Sequence, residues 1–274
     1  DLISKSSGAT MAFNEWYGAA AAPRGLFVGV GSVSTNDHSN TIEYITLTTT
    51  GNSTDFGDRT VASRASSSFS STTRGVSNGG AISGSSAINT IDYVTISTTG
   101  DSTDFGDMSQ VGSLGGAFSN STRGVMATGN NLTSTLQNVI LYVTIANTGN
   151  TTDFGDLTVA RMYTSSTFAS PTRGVVAGGY TNTHVGNALT NRIEYVTIAN
   201  TGNATDFGDL TAANFNNAGC SSNLRACFAG GSAGNKKNID YVTIATTGNA
   251  ADFGDLSALT NEFSGCSSDH GGLQ

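Results

Sequence analysis

The chain has 274 residues, 12% of them charged, and a formal net charge of −8 at pH 7. This acidic balance argues against nucleic-acid binding, because phosphate contacts depend on clustered Lys and Arg, and no apolar run approaches the ~20 residues of a membrane-spanning helix. With 35 Gly, 2 Pro and abundant Ser, Thr and Asn, the composition favours an all-β protein of short strands joined by tight turns.

One motif, Asp-Phe-Gly-Asp, recurs along the whole chain. Its copies are Asp55–Asp58, Asp104–Asp107, Asp153–Asp156, Asp206–Asp209 and Asp252–Asp255. Successive copies start 49, 49, 53 and 46 residues apart, and a period near 50 residues indicates a repeat architecture. Since no shift in composition marks a boundary, we interpret 1–274 as one domain, in which 1–22 and 256–274 are terminal connecting or closure segments.

Within each repeat the predicted elements follow a fixed order. A short apolar segment after an arginine, such as "TRGVVAGG" (172–179), predicts a buried strand that ends in glycine. The next segment, such as "IEYVTI" (193–198), is rich in β-branched and aromatic residues and predicts a second strand. A Gly-Asn turn leads into a third strand, "TDFGDLT" (205–211). A Ser- and Ala-rich stretch, such as 61–72, then predicts the fourth strand of the unit.

Four short antiparallel strands in each repeat are typical of one blade of a β-propeller. The chain has five copies of the first three strands but six versions of the connecting segment. The count therefore predicts a five-bladed ring with one spare terminal segment for closure or attachment. Because a blade cannot bury both faces alone, we expect the Tyr strands to pack between blades together with Phe105, Phe154, Phe207 and Phe253.

The repeat resembles the kelch repeat, which also has a strand ending in Gly-Gly, an apolar strand containing Tyr, and an aromatic-containing strand. Phe stands here where kelch repeats usually have Trp. The longer pattern of "YVTI", "TGNATDFGDLT" and "TRGVVAGG" is similar to kelch-like repeats of tail-fibre and other structural proteins of marine bacteriophages, cyanophages especially. This resemblance spans nearly the whole chain and implies a five-bladed, kelch-like β-propeller of a virion. It says little about activity, because propellers host many functions.

Arginines and aspartates recur in step with the repeat. The distance from the last Asp of the motif to the next arginine is 16, 16, 17 and 16 residues, for the pairs Asp58 and Arg74, Asp107 and Arg123, Asp156 and Arg173, Asp209 and Arg225. Such constancy predicts a structural Arg–carboxylate link, because bidentate pairing needs fixed geometry. Calcium sites shared by the aspartates are the main alternative.

The loops between the first and second strands of the units vary in length, and variable loops on a constant scaffold are where binding residues tend to lie. The candidate ligand-binding residues are in the first and fourth loops: Asn36, Asp37, His38, Tyr180, Asn182 and His184. Amides can hydrogen-bond sugar hydroxyls, and the Tyr180 ring can cover an apolar sugar face. The alternative is that these loops are solvated linkers.

Signals for catalysis are weak. The histidines His38, His184 and His270 lie in loops or near the C-terminus, and nothing places any of them beside a nucleophile and an orienting carboxylate. The three cysteines lack metal-ligand spacing. We therefore expect no metal, no other cofactor and no enzymatic activity.

These observations give three hypotheses for the function. The first is a non-enzymatic structural or host-surface binding module of a phage particle, located in the virion. Its partners would be a host-surface glycan or receptor and other virion proteins, in an assembly that could be oligomeric. The second is a secreted microbial adhesin or lectin on the same scaffold, and the third is an enzyme.

Overall fold

A computed structural model describes residues 23–29, 38–83, 86–131, 136–164, 166–183, 186–233 and 236–259. Every regular element in these ranges is a β-strand, which confirms the all-β class. The described residues contain no helix of the length and apolarity that a membrane span requires. The predicted terminal segment 1–22 lies outside the described residues. Of the other predicted terminal segment, 256–274, residues 260–274 also lie outside them.

The strands form five successive antiparallel units. Unit 1 has the strands β1 (Arg24–Val28), β2 (Ser39–Thr46) and β3 (Thr54–Ser63). Unit 2 has β4 (Ser67–Ser70), β5 (Arg74–Asn78), β8 (Thr90–Thr95) and β9 (Thr103–Asp107), with a small hairpin of β6 (Ala81–Ile82) and β7 (Ser86–Ala87). Unit 3 has β10 (Gly116–Ser119), β11 (Arg123–Ala127), β12 (Val139–Thr144) and β13 (Thr152–Asp156).

The last two units repeat this plan. Unit 4 has β14 (Ser166–Ala169), β15 (Arg173–Ala177), β18 (Arg192–Thr197) and β19 (Thr205–Asp209), with a second hairpin of β16 (Tyr180–Thr183) and β17 (Gly186–Leu189). Unit 5 has β20 (Ala218–Ser221), β21 (Arg225–Ala229), β22 (Asn238–Thr243) and β23 (Ala251–Asp255). Each four-stranded sheet is a meander in which strands are neighbours in chain order, apart from the inserted hairpins.

One expectation about the strand order is wrong. The Ser- and Ala-rich stretch was predicted to close its own unit, but it forms the first strand of the following sheet, as β4 does before β5. The cause is a tight turn before each arginine. In unit 2 the Ser71 amide donates to the Arg74 carbonyl at 2.9 Å, and the Ser71 hydroxyl accepts from the Arg74 amide at 3.1 Å. Such a short connection favours hairpin pairing with the strand that follows.

The hydrophobic cores lie between units. In the cluster between units 3 and 4, Phe118, Val125 and Phe154 of unit 3 pack against Val176 and Ile198 of unit 4. Three further clusters join units 1 and 2, units 2 and 3, and units 4 and 5. We call the side of a unit that contacts the following unit its leading face, and the side that contacts the preceding unit its trailing face.

The Tyr and Phe positions repeat one contact. Tyr142 and Phe154 meet edge to face with ring centroids 5.8 Å apart, and the same geometry recurs in every unit. Phe105, Phe154 and Phe207 are each only 2% exposed between units, which confirms the expected packing. The expectation is wrong for Phe253, which is 55% exposed because no described unit follows it.

Backbone hydrogen bonds also join the units. The Phe154 carbonyl accepts from the Gly202 amide at 2.6 Å, and the Asp156 carbonyl accepts from the Ala204 amide at 2.8 Å. The Asp156 amide in turn donates to Oδ1 of Asn203 at 3.0 Å. The Gly-Asn turn therefore has two roles: it reverses the chain within its own unit, and it hydrogen-bonds to the edge strand of the preceding sheet.

The described strands do not close into a ring. Strand packing runs from each unit to the next, and the large apolar residues Phe27 and Leu47 of unit 1 are exposed, as is Phe253 of unit 5. The described strands thus form an open series of five β-units, and the predicted ring closure is not seen among them.

Candidate functional site

The repeated arginines have a different role from the one predicted. The guanidinium of Arg123 lies over the Tyr142 ring, 4.7 Å from its centroid. Its Nη1 donates to the carbonyls of Ile198 and Ala199 in the next unit, at 2.8 and 2.9 Å. The same stacking holds for Arg74, Arg173 and Arg225. Arg74 and Arg173 donate to the equivalent carbonyls of Ile145 and Ile244.

The expected links from these arginines to Asp58, Asp107, Asp156 and Asp209 are therefore wrong. The ion pairs of the described residues are Arg59–Asp92, Arg161–Glu194 and Lys237–Asp255. The constant spacing that suggested an Arg–carboxylate pair instead reflects two separate contacts with the next unit. The arginine binds carbonyls at the end of the Tyr strand, while the main chain of the last Asp binds the Gly-Asn turn.

Three of the six candidate ligand-binding residues fall outside the described residues, namely Asn36, Asp37 and His184. His38 is half-buried just before β2, and its Nε2 is buried with no hydrogen-bond partner in the described part of the chain. Asn182 lies in the β16–β17 hairpin, where its main chain pairs with that of Asn187. Tyr180 begins the same hairpin and is half-buried. No described contact joins the loops of units 1 and 4, so a binding role for these six residues stays a prediction.

The structure gives Tyr180 two aromatic neighbours that sequence reasoning missed. Its ring centroid lies 6.4 Å from that of Tyr163 and 6.0 Å from that of Phe215, and the Tyr163 and Phe215 centroids are 5.6 Å apart. All three side chains are half-buried. We call Tyr163, Tyr180 and Phe215 the aromatic cluster, and it is the candidate functional site.

Each member of the aromatic cluster is positioned by main-chain contacts. Met162 and Tyr180 form a two-way backbone bridge, with N–O distances of 3.1 and 2.9 Å. Tyr163 has a positive φ of 57°, and its amide donates to the Leu114 carbonyl at 2.7 Å. The Phe215 amide donates to Oδ1 of Asn214 at 2.9 Å. The rings are thus fixed by the scaffold rather than left on free loops.

Tyr163 occupies a strained position that recurs in the repeat. The equivalent residues, seven places after the last Asp of each motif, are Ala65, Leu114 and Asn216, and all have φ between 51° and 55°. A bulky aromatic residue is uncommon in this left-handed conformation, which costs of order 1–3 kcal/mol. The signal that sequence reasoning overlooked is an aromatic residue at a repeat position where the other copies have Ala65, Leu114 and Asn216.

A buried ion pair lies next to the aromatic cluster in sequence and in space. Arg161, two residues before Tyr163, pairs with Glu194, and both side chains are fully buried. Burial lowers the pKa of the Arg161 guanidinium, and the Glu194 carboxylate opposes this by favouring the charged form. Nη1 of Arg161 also donates to the Gly178 carbonyl at 3.0 Å, which ties the segment before Tyr163 to the chain just before Tyr180.

A separate cavity of about 290 Å³ lies between units 1 and 2. Its walls include Leu26 on β1, Phe69 on β4 and Tyr93 on β8. In units 2 to 5 the strand before the arginine occupies the corresponding place beside the sheet. Since residues 1–22 precede Arg24 and lie outside the described residues, this cavity carries no argument for a ligand.

Two cysteines lie opposite each other on the leading face of unit 5. Cys220 of β20 pairs in register with Cys227 of β21, and both are free thiols. Burial raises the pKa of the Cys227 thiol, and the neighbouring Cys220 adds to this. A raised pKa lowers the thiolate fraction of Cys227 at neutral pH, so this thiol lacks the activation of a nucleophilic cysteine.

No family model and no curated protein sequence matches the chain. Within the described residues, no group of three or more His, Cys, Asp and Glu side chains is arranged to hold a metal ion. The aromatic cluster itself offers three half-buried rings beside the β16–β17 hairpin.

Proposed function

We propose that this protein is a non-enzymatic structural or host-surface binding module of a phage particle, and that it contacts a surface glycan through the aromatic cluster. Each β-unit then corresponds to one blade of a kelch-like propeller, and the units form the scaffold that holds the cluster. The observation that carries the proposal is the half-buried triad of Tyr163, Tyr180 and Phe215.

The geometry of the aromatic cluster supports a sugar ligand for two reasons. Half-buried rings with fixed orientation can stack against the apolar face of a sugar with little loss of conformational freedom. The adjoining β16–β17 hairpin has the sequence "YTNT" followed by "GNAL". Its sequence includes Asn182 and Asn187, and an amide is a group that can hydrogen-bond sugar hydroxyls and fix their orientation.

The scaffold supports a structural role. Every described contact between units uses the same elements: a Phe, a Tyr–Arg stack and the Gly-Asn turn, which is Gly-Asp in unit 2. An array of this kind is sustained by neighbouring units and leaves its loops free to vary. The net charge of −8 and the sparse histidines favour neither nucleic-acid binding nor a catalytic centre.

The proposal is tested by binding of the purified chain to a glycan array and to host-cell polysaccharide. Tyr180→Ala and Tyr163→Ala should each reduce binding by about five- to thirtyfold, since an aromatic contact contributes on the order of 1–2 kcal/mol in binding sites. Leu224→Ala is the matched control, because it removes an exposed apolar side chain of unit 5 away from the cluster. Unchanged binding by the well-folded tyrosine variants would leave only the scaffold role, and no binding by the wild-type chain would remove the glycan contact.

A further inference from the structure

The two ends of the array carry the two halves of the contact that joins the units internally. Among the described residues, no unit packs against the leading face of unit 5 or against the trailing face of unit 1. We infer that the leading face of unit 5 binds the trailing face of unit 1 in a second copy of this chain. The protein would then assemble head to tail.

The leading face of unit 5 has the composition of a buried contact surface. Phe253 takes the place of Phe207, which is 2% exposed in unit 4, yet Phe253 is 55% exposed. The space beside the backbone glycines shows the same difference between the two units. A Cβ on Gly208 would lie 2.5 Å from the Gly248 carbonyl carbon of the next unit, whereas a Cβ on Gly254 would meet no atom within 4 Å.

The trailing face of unit 1 shows the complementary exposure. Leu47 is 61% exposed, while Ile244, its equivalent in unit 5, is 1% exposed. Phe27 is 48% exposed, while its equivalent Phe228 is 2% exposed. The turn 51–53 is also exposed, although the same turn in units 2 to 5 binds the preceding unit. Both faces therefore expose large apolar side chains whose equivalents are buried at the contacts within the chain.

The polar groups on the two end faces match as they do within the chain. At the contact of units 4 and 5, the Gly248 amide donates to the Phe207 carbonyl at 2.7 Å, and the Asp209 amide donates to Oδ1 of Asn249 at 3.1 Å. At the contact between copies, the equivalent groups are the Gly51 amide with the Phe253 carbonyl, and the Asp255 amide with Oδ1 of Asn52.

Two further pairs extend this match. Arg173 donates to the Ile244 carbonyl at 3.0 Å, and the equivalent pair between copies is Arg225 with the Leu47 carbonyl. Arg225 is exposed and already stacked on Tyr241 at 4.7 Å, so its guanidinium is held in the geometry the contact needs. The Thr211 hydroxyl of unit 4 donates to the Asp240 carboxylate on β22 of unit 5 at 2.7 Å. The equivalent pair between copies is Ser257 with Glu43.

A second copy is the occupant that the structure favours, because the described trailing face of unit 1 carries this whole set of groups at the positions that match the leading face of unit 5. The proposed contact uses the positions that already join successive units at four places within the chain. It is also heterologous, since different faces meet, and such contacts generate rings or filaments according to the rotation between copies. We therefore expect assemblies larger than a dimer at high concentration.

The test is light scattering after size-exclusion chromatography of the whole chain over a wide concentration range. The wild type should increase in mass with concentration. Phe253→Arg blocks the leading face and Leu47→Arg blocks the trailing face, so each variant alone should need at least about tenfold more protein to associate. An equimolar mixture of the two variants retains one intact contact, and it should form a dimer that does not grow further.

Controls separate the contact from changes in folding. Val159→Arg places the same charge at a partly exposed valine of unit 3 and should assemble like the wild type. Asn52→Ala, in the exposed turn, should weaken assembly without altering the melting temperature of the monomer, and it provides a milder variant if an arginine variant misfolds. A wild-type chain that stays monomeric at every concentration, as it would if units 1 and 5 closed on each other, overturns the inference. A variant mixture that stays monomeric does so as well.

Discussion

Gly155 and Gly254 are equivalent positions that differ in one respect, and replacing each by alanine isolates the contact between units. Their φ angles are 141° and 144°, so an alanine meets nearly the same backbone strain at both, of order 1–3 kcal/mol. At Gly155 the new Cβ would lie 2.5 Å from the Gly202 carbonyl carbon and 2.8 Å from the Asn203 nitrogen. At Gly254 it would meet nothing within 4 Å.

The clash at Gly155 must separate units 3 and 4 locally. Two hydrogen bonds lie directly beside it, from the Gly202 amide to the Phe154 carbonyl and from the Asp156 amide to Asn203, each contributing about 1 kcal/mol. Displaced packing of the buried Phe154 adds a further cost. We expect Gly155→Ala to lower the free energy of unfolding by about 2–3 kcal/mol more than Gly254→Ala does.

The measurement is urea unfolding followed by circular dichroism, with both variants at a protein concentration low enough to keep the chain monomeric. The difference between the two variants is the quantity of interest, because the strain common to both cancels. Equal destabilisation would mean that the turn of one unit does not press on the glycine of the preceding unit, and the described contact between sheets would be wrong.

Substitutions at two other kinds of contact, the arginine–carbonyl bonds and the Arg161–Glu194 ion pair, provide further tests. Arg173→Ala should lower the free energy of unfolding by about 2 kcal/mol, since it removes charge-assisted hydrogen bonds to two carbonyls. Arg225→Ala should lower it by less than about 1 kcal/mol, because only the stacking on Tyr241 is lost. Equal losses in thermal unfolding would refute the role of Arg173 in joining the units. Glu194→Ala should lower the free energy of unfolding by about 3–5 kcal/mol, because it leaves Arg161 charged and buried without a partner. Replacing both Arg161 and Glu194 by leucine should restore most of that stability. A double variant as unstable as the single one would contradict the reasoning.

The repeat and its strands could be predicted from the sequence because the signals are local. A Gly-Asn turn between two β-branched strands specifies a hairpin on its own, and the fivefold recurrence of Asp-Phe-Gly-Asp fixed the unit length. The inter-unit burial of Phe154 also followed, since one Phe on an otherwise polar strand needs an apolar neighbour. The position of β4 in the sheet was harder to predict from the sequence, because pairing with the preceding strand β3 or the following strand β5 satisfies the same pattern.

The partners of the arginines could not be read from spacing. A guanidinium can be satisfied by a carboxylate, by carbonyls or by a ring face, and constant spacing from an aspartate shows only that both residues repeat. The ring of Tyr142 and the Ile198 carbonyl are 19 and 75 residues from Arg123, so the contact depends on the packing of two sheets. A sequence from a single protein carries no signal for that arrangement.

The aromatic cluster depends on the stack of units as well as on its own residues. Tyr163 lies in the connection from unit 3 to unit 4, Tyr180 lies in the hairpin of unit 4, and Phe215 lies in the connection from unit 4 to unit 5. The three rings meet only because unit 4 is held on both faces by the same contact, once with unit 3 and once with unit 5. The repeated Phe, Arg and Gly-Asn positions therefore set the geometry of the site from a distance, although none of them belongs to it. A surface built in this way can change its ligand by exchanging loop residues while the contacts between units stay constant.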